Sequence, residues 1–467
     1  MKRIQFPDQF LWGVATSAQQ IEGARRHNGR GESIWDRFAE QKGAIADGSD
    51  ADTACDHFHR WRDDVELMNW LGVGAYRFSI SWPRIMPYGT GKPATLGLDF
   101  YDALVDRLLE TGIRPCPTLY HWDLPQVLQD SGGWESRKTA EAFVDYAEAV
   151  VLRLGDRVTD WTTHNEPWCA AVLGHEEGCH APGRKDPLAG MTAAHHMLLS
   201  HGLAAKAIRS LSSKARVGIV QLYCPAYPAT DSEADHDAAR WFDGFFNRWF
   251  LDPVFLGSYP VDAIADRIAA GQLAGPKLPF VEPGDLKTIS TPLDFVGLNY
   301  YSRSVMRTDE NGRRIPVPQG TPEERTDMDW EVYPEGLYDS LTRVSHRYSP
   351  KEIFLTEFGA AVPDQVIEPG HIVDERRSRF LHDHLLAAHR AINEGVPLSG
   401  CFVWSLMDNW EWSWGFEKRF GLISIDPKTL ERVPRDSAFW YRDVVEHQAI
   451  NKDFILPTRG DARVQES

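Results

Sequence analysis

Short runs of apolar and β-branched residues recur along the chain at 10–16, 75–82, 114–122, 158–165, 216–223, 293–302, 352–359 and 400–408. Between most of them, apolar residues fall three and four apart. That alternation predicts a strand followed by a helix, eight times over. Leu98, Tyr101, Leu104, Val105, Leu108 and Leu109 give one predicted helix an apolar face, and Gly112 ends it. The segment 380–392, with Gly395 after it, behaves in the same way. The stretches 224–260 and 303–350 are longer and irregular, and are predicted to be loops. No internal repeat, low-complexity tract or linker marks a second domain. The expected fold class is therefore α/β: a single (β/α)8 barrel spanning 1–467, with extended loops at the C-terminal face of its strands.

Composition narrows the function classes. The chain has 467 residues, 42% hydrophobic and 25% charged, the balance of a globular enzyme whose core needs neither disulfides nor a metal to form. The formal net charge of −17 works against nucleic acid or anionic membrane as a partner, and no long basic run offsets it. No apolar run is long enough to span a bilayer. The first eight residues, MKRIQFPD, lead into no apolar signal region. Six cysteines at 55, 116, 169, 179, 224 and 401 form no C-x-x-C pair and are expected to be reduced thiols. These features predict a cytoplasmic protein. The 17 Trp, 14 Tyr and 22 Phe add a weaker hint, because flat indoles suit the apolar face of a sugar ring as well as a core.

Chemistry gathers at the predicted strand ends. They read His121-Trp122-Asp123, His164-Asn165-Glu166-Pro167, Asn299-Tyr300-Tyr301, Thr356-Glu357-Phe358-Gly359 and Trp404 to Asn409. In a barrel these ends converge on one face, where active sites are built. Two carboxylates, Glu166 and Glu357, occupy corresponding positions. Acetal hydrolysis needs such a pair, one group to protonate the leaving oxygen and one to act at the anomeric carbon. On position alone, a glutamate at a strand end is more often a solvated loop residue. The neighbours favour chemistry: Asn165 offers an amide to a hydroxyl, Pro167 stiffens the backbone, and Arg77 in the second strand is placed to pair with Glu357.

The segments 76–84 (YRFSISWPR), 119–125 (LYHWDLP), 158–168 (VTDWTTHNEPW) and 403–412 (VWSLMDNWEW) resemble glycoside hydrolase family 1 of the β-glucosidase type. The resemblance runs in the correct order from Phe10-Leu11-Trp12-Gly13 to Trp440-Tyr441, so it covers nearly the whole chain. It implies a retaining β-glycosidase that works without a cofactor or metal on a small β-glycoside or short oligosaccharide, through a covalent glycosyl-enzyme. Glu166 then matches the general acid/base and Glu357 the nucleophile, with Arg77 and Tyr301 supporting the latter. Gln20 and Glu411 match readers of the sugar's outer hydroxyls, and His121, Trp122 and Asn165 those of the middle ones. Trp404 corresponds to the stacking floor, Trp412 to a hydroxyl ligand and Phe420 to an apolar wall. Trp168 and Trp330 correspond to the mouth that holds the leaving group.

Two positions depart from the family pattern: Phe358 stands where Asn usually follows the nucleophile, and Gln19 where Tyr usually precedes the glutamine. Two other functions remain open. A 6-phospho-β-glucosidase usually carries Ser at the Glu411 position, with Lys and Tyr soon after it. A sugar-binding barrel without catalysis would lack one of the two glutamates. Other motifs weaken on inspection. His175-Glu176 begins like a zinc-protease helix, but Cys179 stands where the second His belongs. His195, His196 and His201 are expected to pack in a helix, and Gly72-x-Gly74 lacks the third glycine of a dinucleotide fingerprint.

Overall fold

The computed structural model describes residues 2–368 and 370–456. Residues 1, 369 and 457–467 of the expected single-domain span lie outside the described residues. Eight parallel strands close into a barrel in chain order. They are β1 (Leu11–Ala15), β2 (Ala75–Ser79), β3 (Arg114–Tyr120), β4 (Asp160–Asn165), β5 (Arg216–Leu222), β6 (Phe295–Asn299), β7 (Ile353–Phe358) and β8 (Leu398–Trp404). Pairing of Trp404 with Ala15 closes β8 onto β1. All eight predicted runs contain a barrel strand, each shorter at one or both ends except at the start of β8.

The helices α1 (His57–Leu71), α2 (Thr95–Glu110), α3 (Arg137–Leu154), α4 (Pro187–Leu211), α5 (Asp285–Ile289), α6 (Pro334–Tyr348), α7 (Glu375–Asn393) and α8 (Asp436–His447) follow the strands in turn. Helix α2 buries Tyr101, Leu104, Val105 and Leu108 as expected, and Gly112 adopts φ +78° just beyond its end. Leu109 is 40% exposed, because it lies about 100° round the helix from Leu108 and off the apolar stripe. Asp186 caps α4, its carboxylate accepting from the backbone N–H of Leu188 at 2.9 Å.

The barrel's interior is filled, as such barrels require. Phe295, Phe354 and Phe402 form one buried cluster with Ala15, Ala75 and Trp404. Glycines on neighbouring strands make room: a Cβ at Gly13 would lie 2.4 Å from the ring of Phe402, and one at Gly218 2.3 Å from that of Phe295. Side chains thus fill most of the barrel below the site, leaving about 20 Å³ among Leu11, Phe295, Phe354 and Phe402.

The loop expectation for 224–260 and 303–350 is corrected. Helix α6 falls in the second stretch, started by Pro334 in its first turn and packed through Leu337, Leu341 and Val344 at helical spacing. Ala226–Pro228, Ser304–Thr308 and Arg314–Pro316 form a three-stranded sheet, against which the helix Glu233–Asp243 packs. Short strands of three to five residues, set in polar sequence, carry too little periodicity to be read alone.

Candidate active site

Strand register puts functional side chains level with one another at the barrel mouth. Glu357 on β7 stands beside Asn299 on β6, and Arg77 on β2 beside Ala15 on β1. Arg77 donates from Nη1 to Glu357 Oε1 at 2.5 Å and from Nη2 to Asn165 Oδ1 at 2.6 Å. The Tyr301 hydroxyl donates to the other oxygen of Glu357 at 2.6 Å. Both oxygens of Glu357 are therefore held by donors, one of them cationic.

Glu166 sits in a different environment. Its Oε1 accepts from Asn299 Nδ2 at 2.6 Å, and its Oε2 from the Cys169 thiol at 3.1 Å. Thr356 Oγ donates to Asn299 Oδ1 at 2.7 Å, which leaves the amide nitrogen facing Glu166. Both donors to Glu166 are neutral. Burial, reinforced by the negative charge of Glu357, pushes its carboxyl up to about 8. Two acids in one cup thus sit in different surroundings: Glu357 is paired with a guanidinium, and Glu166 is bonded only to neutral donors.

A third carboxylate completes the cup. Glu411 Oε2 accepts from Gln20 Nε2 at 3.3 Å, and the same amide donates to Asn409 Oδ1 and the Trp410 carbonyl. Burial and the charges of Glu357 and Glu166 raise Glu411 to about 8 as well. These two raised carboxyls hold protons more tightly in the folded protein than in the unfolded chain. Their stabilisation is complete below the ordinary carboxyl value of 4.5 and is lost as pH rises through about 8. Glu411→Gln keeps the hydrogen-bonding shape and removes one of the two titrations. Its melting temperature relative to the parent is expected to improve steadily from pH 5 to pH 9, measured by calorimetry. A difference that stays flat across that range would contradict the assignment.

The walls are aromatic. Trp122, Trp404 and Trp412 surround His121, whose ring stacks with those of Trp404 and Trp412 at 5.9 Å. Trp330, Tyr301 and Phe420 pack together on another side. Burial and the nearby Arg77 charge press His121 well below the ordinary imidazole value, so it is neutral, and its Nε2 lies 3.1 Å from Asn165 Nδ2. Trp122, Glu166 and Trp412 all have positive φ, at 77°, 44° and 52°. Left-handed backbone at three non-glycine residues of one cavity is strain of the kind that collects at functional sites.

The cavity measures about 690 Å³, within the range of small-molecule sites. Twelve of the fourteen residues predicted from sequence line it: His121, Trp122, Asn165, Glu166, Trp168, Tyr301, Trp330, Glu357, Trp404, Glu411, Trp412 and Phe420. The other two lie fully buried beside it: Arg77 is bonded to Glu357 and Asn165, and Gln20 to Glu411. Asn299 and Cys169, which touch Glu166 directly, had no role in the sequence reading. The position of Asn299 at a strand end was the available signal; Cys169 gave none.

Several strand-end and motif residues serve elsewhere. Asp408 pairs with Arg435 at 2.7 Å and Arg419 at 2.8 Å. Phe358 packs in the main hydrophobic core, and Gln19 is bonded to Asp36, Arg30 and Ser33. His175 Nδ1 meets the Ala170 carbonyl and Glu176 pairs with Arg267. His195, His196 and His201 bond to Tyr259 and Asp285, to the Trp134 carbonyl, and to Thr163. The six cysteines are unpaired, and no described helix is long and apolar enough to cross a membrane.

The sequence model for "Glycosyl hydrolase family 1" matches residues 2–450. The chain belongs to glycosyl hydrolase family 1. It is accordingly a retaining glycoside hydrolase built on a (β/α)8 barrel. "Beta-glucosidase A" of Acetivibrio thermocellus is 46% identical over 450 residues, covering 96% of this chain and 99% of that protein. A "Bifunctional beta-D-glucosidase/beta-D-fucosidase" of Bifidobacterium breve is 43% identical, over 95% of this chain and 99% of its own length. The solved structure of a Thermotoga maritima β-glucosidase in complex with glucoimidazole superposes with a TM-score of 0.91 at 43% identity, covering 96% of this chain and all of that one. These relatives cover 95–96% of the chain.

Proposed function

We propose that this family 1 enzyme is a β-glucosidase, releasing terminal non-reducing β-D-glucosyl residues and taking D-galactosyl and D-fucosyl residues as further glycones. Glu357 is the nucleophile and Glu166 the acid/base. The contrast between the two carboxylates carries the reading. Glu357 has a guanidinium and a phenol on its oxygens, which stabilise a negative charge and aim it. Glu166 has only neutral donors and is protonated at neutral pH. Glu357 attacks the anomeric carbon while Glu166 gives its proton to the leaving oxygen. Esterification then removes the charge of Glu357, so the carboxyl of Glu166 becomes more acidic and can draw a proton from the incoming water. Two inversions at one carbon restore the starting configuration.

Further roles follow from placement in the cup. Asn165, oriented by Arg77, holds the 2-hydroxyl, and His121 and Trp122 the next one. Gln20, Glu411 and Trp412 hold the outer hydroxyls. Trp404 is the floor beneath the ring, Phe420 an apolar wall, and Trp168 and Trp330 line the mouth. We read the chain as a single catalytic barrel, acting on small β-glycosides or short oligosaccharides. Its unpaired thiols support a reducing compartment, the cytoplasm.

Initial rates on p-nitrophenyl β-D-glucoside, β-D-galactoside, β-D-fucoside and 6-phospho-β-D-glucoside test the reading. Turnover of the first three is expected. The phosphorylated sugar is not expected to turn over, because Lys418 is engaged with the Asp327 carbonyl and the Trp414 ring and Arg419 is paired with Asp408. Hydrolysis of the phosphorylated sugar alone would overturn it. The pH profile gives a separate check. Activity needs protonated Glu166, so kcat/KM is expected to hold below pH 8 and fall as pH rises through about 8. A basic limb near pH 5 would remove Glu166 from the acid role.

A further inference from the structure

Glu166 is held at both oxygens, and the two holds differ in kind. At Oε1 the partner has one fixed orientation. Asn299 Oδ1 accepts from Thr356 Oγ at 2.7 Å, and Asn299 Nδ2 donates both to Glu166 Oε1 at 2.6 Å and to Asn165 Oδ1 at 3.2 Å. The amide therefore presents N–H to Oε1. An oxygen that receives such a bond is the carbonyl side of a neutral carboxyl, so the acid proton belongs on Oε2. That is the oxygen the Cys169 thiol meets at 3.1 Å. Arg77 and Tyr301, the nearest other donors, are bonded to Glu357, and Glu411 is bonded to Gln20.

The backbone brings Cys169 there. Glu166 takes φ +44°, and the N–H of Cys169 donates to the Glu166 carbonyl at 3.0 Å, which folds the chain back on itself. Cys169 then opens a π-helix, Cys169–Glu177, a form that collects at functional sites. Near its far end Glu176 pairs with Arg267 at 2.6 Å, which anchors the helix against the insertion beside the barrel. Cys169 is buried, and enclosure together with the negative charge of Glu166 holds its thiol well above the ordinary range. The sulfur therefore keeps its proton. A thiol can give one hydrogen bond and accept another, both weakly. An amide nitrogen or a guanidinium can only give.

We propose that Cys169 is a positioning residue for the acid/base, its thiol holding Glu166 Oε2 in both states: accepting from the O–H before the glycosidic bond breaks, and donating to the carboxylate afterwards. The proposal rests on the assignment of Glu166 above and deepens it. The Oε2 proton passes to the leaving oxygen as Glu357 bonds the anomeric carbon, and the S–H turns onto the bare oxygen. Water later returns a proton to Oε2 while its oxygen bonds the anomeric carbon and Glu357 leaves. The thiol proton stays on sulfur throughout.

Rates of Cys169→Ala and Cys169→Ser on phenyl and 2,4-dinitrophenyl β-D-glucoside, followed from pH 5 to pH 10, test this. Phenolate needs a proton to leave, and dinitrophenolate hardly does. Alanine leaves Oε2 unheld, so kcat/KM on the phenyl glucoside is expected to fall about tenfold, part of the roughly 10²- to 10⁴-fold that a general acid supplies. On the dinitrophenyl glucoside it should fall less than about twofold. The ratio of the two is independent of how much of the variant is folded. Serine, which also gives and accepts, should restore most of the rate on the phenyl glucoside. The basic limb should move up with alanine, because a donor to the ionised carboxyl is gone, and down with serine, a stronger donor than the thiol. If alanine prevents folding, Cys169→Val fills the space without a bonding group and carries the same expectation. Equal losses on both substrates, or one basic limb shared by all the proteins, would overturn the proposal. A parent enzyme that hydrolyses neither glucoside would instead strike the proposed function.

Discussion

Glu357→Gly is expected to lower kcat on aryl β-D-glucosides by roughly 10⁵- to 10⁶-fold, the scale on which removal of a nucleophile acts when its partner groups remain. The substitution removes the attacking oxygen and leaves Arg77 and Tyr301 around a space that a small anion can enter. Azide should restore turnover by attacking the anomeric carbon from the side that Glu357 occupied, while Glu166 still protonates the leaving group. The product is then α-D-glucosyl azide, with configuration inverted, and no glycosyl ester forms. Arg77 is 2% exposed, and an unpaired buried cation destabilises a fold by several kcal/mol. A lower melting temperature should therefore accompany the loss and recover partly in azide. Unchanged kcat would remove Glu357 from the mechanism.

Glu166→Ala has a smaller and differently shaped effect. Acid/base assistance contributes about 10²- to 10⁴-fold, and it is divided between two steps. With a dinitrophenyl leaving group the first step needs little protonation, so the glycosyl-enzyme should still form rapidly and accumulate. Stopped-flow traces are expected to show a burst of phenolate followed by slow turnover. Azide then intercepts the ester from the open face and yields β-D-glucosyl azide, with configuration retained. The two variants are thus separated by the anomer they produce, which a mere loss of folding would not do. The α-azide from Glu166→Ala would show that the two carboxylates have been exchanged.

The architecture was legible because a barrel repeats one simple pattern. Each central strand is buried on both faces and reads as a β-branched or apolar run, and each chemical residue follows where that run ends. Where the signal was thin the reading slipped. The run at 293–302 outran Phe295–Asn299, because Tyr300 and Tyr301 are also bulky and strand-like although they leave the ladder. Helix α6 lay inside a long polar stretch, and only Pro334 with Leu337, Leu341 and Val344 marked it.

The site divides along similar lines. Glu166 and Glu357 stood out by their places at strand ends and Arg77 by its strand, and the family resemblance supplied the roles expected of the others. The environments that set their chemistry depend on contacts between distant segments. Gln20 meets Glu411 across 391 positions of sequence. Asn299 reaches Glu166 across 133, and its amide is oriented by Thr356 from a third strand. No local pattern encodes such a bond, because it exists only once the barrel has closed. The raised carboxyl of Glu411 likewise reflects three acids sharing one enclosed cup rather than any motif.

The most direct test is to trap the covalent intermediate. Incubation with 2-deoxy-2-fluoro-β-D-glucosyl fluoride slows both steps but leaves a good leaving group, so the ester should accumulate and inactivate the enzyme. Peptic digestion and fragment-ion mass spectrometry then locate the label. The account predicts one fluoroglucosyl group per chain, on Glu357 within Leu355-Thr356-Glu357-Phe358. A label on Glu166 or Glu411, or hydrolysis with inversion and no label at all, would contradict it.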